Sequence, residues 1–345
     1  GSREMSSTET DIILPVWNRP EETRECLAAL VENSAGCRMI LLDRGSDPET
    51  EQILHEFAEY LGDGAILLRS ECARGFVETV NLGLSRASAP LMIALRESTR
   101  VTTGWLEPLR EAALKPEAGV LVPVLEPREG VSPQREIRKD FQLETFRGSF
   151  AAIGITRLLY EKAGGFDSGM DGGFWCLRDY SRRAHAAGFR TLRVGGPPVL
   201  FREEPVYGSS ERRERRRLES EAVFRARWGE EHAYCLRLSR SVEPEALSQA
   251  FDAILAGARK GHRFLVLSPC AVFRKIVSAG FHRLHENITV ERLSRFFPSR
   301  AVRSACDRFR ETYPDGTLLD GIEVLLDVAG VKDVPFVEMK NRFTA

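Results

Sequence analysis

Ile12-Ile13-Leu14-Pro15-Val16-Trp17-Asn18-Arg19-Pro20-Glu21-Glu22 decides how the rest of the chain is read. Five consecutive apolar residues make a strand that is buried on both faces, because a half-buried strand would alternate with polar residues. Trp17-Asn18-Arg19 ends the run. Pro20 then supplies the fixed φ of a first helical residue, and Glu21 and Glu22 fall in the first turn, where the helix dipole favours acids. Leu27, Leu30 and Val31 form a stripe at helical spacing, and Gly36 closes the helix. A buried strand feeding directly into an amphipathic helix opens an α/β unit.

The unit recurs downstream. Residues 39–42 form a second strand, and Ser46-Asp47-Pro48-Glu49 starts a helix whose Ile53, Leu54, Phe57 and Leu61 share one face. Residues 65–68 are a third strand, 76–87 a third helix and 91–95 a fourth strand. Apolar strands alternating with helices predict a parallel sheet covered on both faces. After Leu95 the rhythm loosens. Helices are expected at 105–114, 157–163, 179–187 and 210–227, extended segments at 120–125 and 148–155, two short strands between 191 and 201, and a polar surface loop at 126–140. The Arg/Glu run in the helix at 210–227 reads as a solvated face with intrahelical ion pairs.

Residues 233–345 share no visible repeat with the first part. Helices at 244–258, 270–279 and 302–312, a strand at 264–267 and an apolar stretch at 319–328 predict a small C-terminal α/β or helical appendage. The expected division is 1–9, where Gly1-Ser2-Arg3-Glu4 reads as a cloning scar, then 10–232, then 233–345.

Bulk properties exclude several classes. Of 345 residues, 43% are hydrophobic and 29% charged, which is globular composition, and the formal net charge of −1 gives no reason to expect nucleic acid as a partner. Seven cysteines without a Cys-x-x-Cys pair argue against zinc and suit reduced thiols in a cytoplasm. No apolar run approaches the ~20 residues of a membrane span, and no signal peptide is visible. A soluble, cytoplasmic protein is expected.

Four passages, in order, resemble the family 2 glycosyltransferases. They are Ile12 through Pro20; Leu41-Leu42-Asp43-Arg44-Gly45-Ser46; Arg74-Gly75-Phe76-Val77-Glu78-Thr79-Val80-Asn81-Leu82-Gly83-Leu84; and Val101-Thr102-Thr103-Gly104-Trp105-Leu106-Glu107-Pro108-Leu109. Weaker echoes follow at Gly164-Gly165-Phe166-Asp167, at Asp179 through Phe189, and at Phe224 through Gly229. The resemblance implies a GT-A fold, that is, a mixed but mostly parallel sheet with helices on both faces. It also implies inverting transfer of a sugar from a nucleoside diphosphate, of UDP or dTDP type, to an acceptor hydroxyl. The acceptor, whether a glycan, a lipid-linked molecule or a protein, stays open. In this reading Pro15, Val16, Asn18 and Asp43 face the nucleotide, with a structural cap of the following turn as the alternative for Asp43.

The acidic chemistry of that family is eroded here. Its metal element falls at Leu95-Arg96-Glu97-Ser98-Thr99, where Glu97 keeps one carboxylate and Ser98 stands at the metal-binding Asp. One acid and a hydroxyl make a poor site for a hard cation, so the expectation is no cofactor, or a weakly held Mn or Mg. Cys176-Leu177 stand where the family has Glu-Asp, and Leu177 cannot accept a proton. Asp179 and Asp171 are the substitutes on offer for the base. Phe201-Arg202-Glu203-Glu204 occupies the place of a frequent metal-ligating His. Against these losses, Arg44, Arg74 and Arg96 each follow a predicted strand and fall on one rim of the sheet, where guanidiniums can neutralise a diphosphate in a metal's place.

Three functions follow from these residues. The first is an active, metal-independent glycosyltransferase. The second is an inactive pseudo-glycosyltransferase that binds a nucleotide sugar, a glycan or, through its C-terminal region, a protein partner. The third is one module of a larger glycosyltransferase.

Overall fold

A computed structural model describes residues 9–70, 75–129, 141–202, 209–296 and 298–328. Arg74, the pair Glu203-Glu204, the scar at the start and most of the predicted loop at 126–140 lie outside the described residues. The chain divides into two compact units, Gly1–Gln142 with Phe146–Trp228, and Leu143–Thr145 with Gly229–Ala345.

In chain order residues 10–228 run β1 (Thr10–Val16), α1 (Pro20–Asn33), β2 (Cys37–Asp43), α2 (Pro48–Leu61), β3 (Ala65–Arg69), α3 (Phe76–Arg86), β4 (Leu91–Leu95), β5 (Thr99–Arg100), α4 (Glu107–Ala113), β6 (Ala118–Val122), β7 (Leu125–Pro127), β8 (Gln142–Glu144), β9 (Ala152–Thr156), α5 (Arg157–Ala163), α6 (Phe174–Ala186), β10 (Arg190–Val194), β11 (Val199–Phe201) and α7 (Ser210–Trp228). The main sheet has eight strands in the order β3-β2-β1-β4-β9-β6-β10-β8. β1, β2, β3 and β4 are parallel, as are β6 and β10. β9 lies antiparallel between β4 and β6. The first four strands are parallel, as their apolar runs predict, and the sheet as a whole is the expected mixed one: β9 enters from a loop rather than from a crossover helix, which leaves it able to run the other way. A small second sheet, β5-β11-β7, sits on the rim.

Every residue of β1 is buried, which is why the opening run carries no polar alternation. Ile12, Leu14 and Val16 pack with Leu27 and Leu30 of α1 and Leu54 of α2 on one face. Ile13, one residue out of phase, packs with Val80 and Leu84 of α3 on the other. α3 reaches that close because residue 83 is glycine: a Cβ there would sit 2.3 Å from Ile13 Cγ2. The GT-A-like layering expected from the sequence is what the chain adopts.

The second unit contains β12 (Ala233–Arg237), α8 (Pro244–Arg259), β13 (Arg263–Ser268), α9 (Cys270–Ser278), β14 (Ile288–Arg292), α10 (Pro298–Thr312), β15 (Thr317–Asp320) and α11 (Ile322–Val328). Its four strands are all parallel, in the order β14-β13-β12-β15, an open doubly wound arrangement around Leu236, Phe251, Ile254 and Val266. The region is thus α/β, not helical. β12 and β14 escape a periodicity search because each is only five residues long and carries polar residues within it.

Candidate functional site

The carboxyl ends of β1, β2 and β4 build the candidate site, at the edge where open α/β sheets bind ligands. Pro15 and Val16 are buried in β1, and Val16 stands in register with Asp43 at the end of β2. The turns that follow the two strands therefore leave the sheet side by side, and they are clamped together. Arg44 N–H donates to the Val16 carbonyl at 2.9 Å, Asn18 N–H to Ser46 Oγ at 3.0 Å, and Asp47 N–H to Asn18 Oδ1 at 2.9 Å. The clamp holds Asn18 and Arg19 in the left-handed region, at φ of 58° and 60°. Asn tolerates that conformation better than most residues.

Asp43 is buried. Its Oδ1 accepts the N–H groups of Gly45 (3.1 Å) and Ser46 (2.8 Å), which makes it the cap of its own turn. Its Oδ2 lies 3.6 Å from the Arg69 guanidinium, which also pairs with Glu51. Both roles weighed from sequence, turn cap and ligand contact, are compatible with this geometry, since the two oxygens point to different neighbours. A cavity of about 360 Å³ opens on the Oδ2 side, lined by Asp43, Glu51, Leu54, His55, Leu67 and Arg69.

Two guanidiniums and an indole mark the rim. Arg44 follows β2, and its guanidinium carbon lies 5.8 Å from the centre of the Trp17 ring, which is 38% exposed. Arg96 follows β4 and stacks on Phe76, the first residue of α3, at 3.9 Å. Trp17, Arg69 and Phe76 were not picked out by sequence reasoning. Trp17 carried the available signal, a large aromatic directly after a buried strand.

The segment after β4 turns tightly. The Arg96 carbonyl accepts from Thr99 N–H (3.1 Å) and Thr99 Oγ (2.6 Å), which tucks Glu97 and Ser98 into buried positions. Arg202 N–H donates to the Ser98 carbonyl at 3.3 Å, which ties the end of β11 to this turn. Among the described residues no three His, Cys, Asp or Glu side chains converge on a point. Glu97-Ser98 brings one carboxylate and one hydroxyl to this turn, where Mg2+ sites commonly combine one or two carboxylates with water and substrate phosphate oxygens.

The residues at the position of the base are engaged elsewhere. α6 begins at Phe174, five residues before the expected start, because Asp171 caps it: its carboxylate accepts the N–H groups of Gly173 (3.1 Å), Cys176 (3.0 Å) and Trp175 (3.2 Å). Leu177 faces the apolar core beside Gly148 and Ile153. Burial, with the charges of Asp171 and Asp179 adding to it, pushes the Cys176 thiol up to about 12. Asp179 is fully buried and accepts from Arg183 Nε (2.8 Å), Arg227 (2.7 Å) and Trp228 Nε1 (2.9 Å). It ties α7 to α6. Nearby, Asn81 of α3 pairs with the backbone of Phe166, donating to its carbonyl and accepting its N–H, each at 2.8 Å. A Cβ at Gly165 would lie 2.4 Å from Asn81 Oδ1, so the Asn81 and Gly164-Gly165-Phe166 motifs are two halves of one contact.

The comparisons with known proteins fit this architecture. The family model described as Glycosyl transferase family 2 matches residues 11–181. No curated protein sequence matches the chain. Among solved structures, the chain is similar to GalNAc-T7 with UDP, GalNAc and Mn2+ at 16% identity and a TM-score of 0.52, covering 65% of this chain and 49% of that one. It is also similar to S. aureus TarS 1–349 in complex with UDP-GlcNAc, at 14% identity and a TM-score of 0.51, covering 63% and 66%. The chain thus spans about half the length of the first and just under two thirds of the second. At such identities the likeness is one of fold. Residues 11–181, with the buried opening strand and the clamped turns behind it, are the part of the chain that matches glycosyl transferase family 2.

Proposed function

We propose that the first unit binds a nucleoside-diphosphate sugar along the carboxyl rim of β1, β2 and β4, with arginines rather than a divalent ion facing the diphosphate. The observation that carries this reading is the pairing of rim guanidiniums with aromatic rings, Arg96 on Phe76 and Arg44 beside Trp17. The ring beside it fixes the direction of a guanidinium, and arginine is the side chain that makes forked contacts to phosphate oxygens. Trp17 offers a face on which a base can stack, and the cavity beside Asp43 offers polar and apolar walls.

Transfer further needs a group to take the acceptor proton as the anomeric carbon is attacked. Asp171 and Asp179 have their oxygens committed to a helix start and to Arg183, Arg227 and Trp228, and Leu177 lies in the core. This favours the second reading, nucleotide-sugar binding without efficient turnover. A third, a module of a longer glycosyltransferase whose chemistry lies elsewhere, shares the same binding step. Incubation with UDP- and dTDP-sugars, followed by release of free nucleotide, separates them. Release that disappears in Asp171→Asn supports transfer with Asp171 as base. Binding without release supports the non-turning module.

A further inference from the structure

The second unit carries a surface that the nucleotide-sugar reading leaves unused. From Arg292 to Cys306 the sequence Arg-Leu-Ser-Arg-Phe-Phe-Pro-Ser-Arg-Ala-Val-Arg-Ser-Ala-Cys holds four arginines and no acid. Arg292 ends β14, in register with Ser268 of β13, so the segment emerges from the carboxyl edge of the parallel sheet. Arg292, Arg295, Arg300 and Arg303 are all exposed. Among the described residues none of the four has a carboxylate partner, whereas Arg308, one turn further on, is held by Glu291 at 2.8 Å.

Phe296 stands in the middle of this group and is 82% exposed, the most exposed of the large aromatic side chains among the described residues. α10 behind it is anchored, with Ala305 and Phe309 buried against Leu267. The apolar side of that helix is already used, and its arginines Arg300 and Arg303 face outward. The anchored helix thus carries, with the segment before it, an exposed apolar ring in a collar of four exposed arginines.

We infer that this collar docks the second unit on an anionic lipid surface, Phe296 entering between headgroups while the arginines contact lipid phosphates. Charge complementarity sets the sign of the partner: four like charges left without acids are stable in water but gain from a negative surface potential. The exposed ring chooses among negative partners: an apolar side chain set among cations suits an interface with an apolar phase beneath its charged surface. No helix among the described residues is long and apolar enough to cross a membrane, so contact of this kind is peripheral.

Flotation of the full chain with vesicles of phosphatidylcholine alone, and of phosphatidylcholine with phosphatidylglycerol, tests the inference. Binding is expected only to the anionic vesicles and is expected to fade above about 0.5 M salt, where the Debye length shrinks to a few ångström. Arg295→Gln, Arg300→Gln and Arg303→Gln together should weaken it roughly 100-fold, at about 5-fold per lost cation. Phe296→Ser should weaken it roughly 10-fold while leaving the salt dependence in place. All four positions are exposed, so unchanged thermal unfolding of the variants is the control for folding. Equal binding to both vesicles, no binding to either, or binding indifferent to these substitutions overturns the inference. So does wild-type binding to single-stranded RNA that the same substitutions abolish while the vesicles stay unbound.

Discussion

The guanidinium carbon of Arg96 lies over the Phe76 ring, 3.9 Å from its centre. Phe76 opens α3 and Arg96 leaves β4, so the stack joins a helix start to a strand end on the rim where a diphosphate would lie. Planarity matters as much as charge here. Arg96→Lys keeps the cation but loses both the stack and the fork, and is expected to weaken UDP binding roughly 10-fold; Arg96→Ala should weaken it roughly 100-fold. Titration calorimetry with UDP reads both. Equal affinity in wild type and Arg96→Ala would remove Arg96 from the site.

Restoring the missing acid should not restore chemistry. Leu177 packs against Gly148 and Ile153, so Leu177→Asp puts an unpaired carboxylate into an apolar core. The expected cost is about 4 kcal/mol of stability, while Leu177→Met costs under about 1.5 kcal/mol. Urea unfolding of the two variants measures this. A folded Leu177→Asp protein that gains sugar transfer would mean that the side chain can swing toward the rim.

Acid should loosen the hold of α7 on the turn that precedes α6. Burial raises the Asp167 pKa, but hydrogen bonds from Arg227 and from Gly169 N–H outweigh it and hold the carboxyl below its ordinary range. A depressed carboxyl lends stability that is complete above its unfolded value and is lost as pH falls through the folded one, so the loss lies below about pH 4. Unfolding midpoints followed from neutrality to about pH 3 should fall more steeply in wild type than in Asp167→Asn. Identical acid limbs would contradict the assignment.

Much of the first unit was legible because buried parallel strands leave a run of apolar residues that helices then punctuate. β1, α1, α2, α3 and β4 fall within a residue or two of their expected bounds. What was not legible is long-range. That Asn18 would meet Asp47, or Asn81 would meet Phe166, depends on which turns the sheet brings together, and no local spacing encodes it. The start of α6 was misplaced for a related reason. Asp171 caps it from three residues before Phe174 across Gly172-Gly173, whereas a search anchored on Asp179 begins the helix inside its own second turn. β9 was expected as an extended segment, but its antiparallel direction is set by its neighbours, β4 and β6. In the candidate site, Asp43, Arg44 and Arg96 could be named from sequence, while Arg69 and Phe76 are recognisable only through what they touch.

UDP binding with and without metal decides the proposed arginine rim. Calorimetry of the full chain in EDTA and again with Mn2+ should give the same dissociation constant within about 2-fold, since in this proposal guanidiniums face the diphosphate and, among the described residues, no three acidic, His or Cys side chains gather to hold the ion. Binding that appears only with Mn2+, or tightens more than roughly 10-fold when it is added, would contradict the arginine rim and require a metal site that these residues do not form.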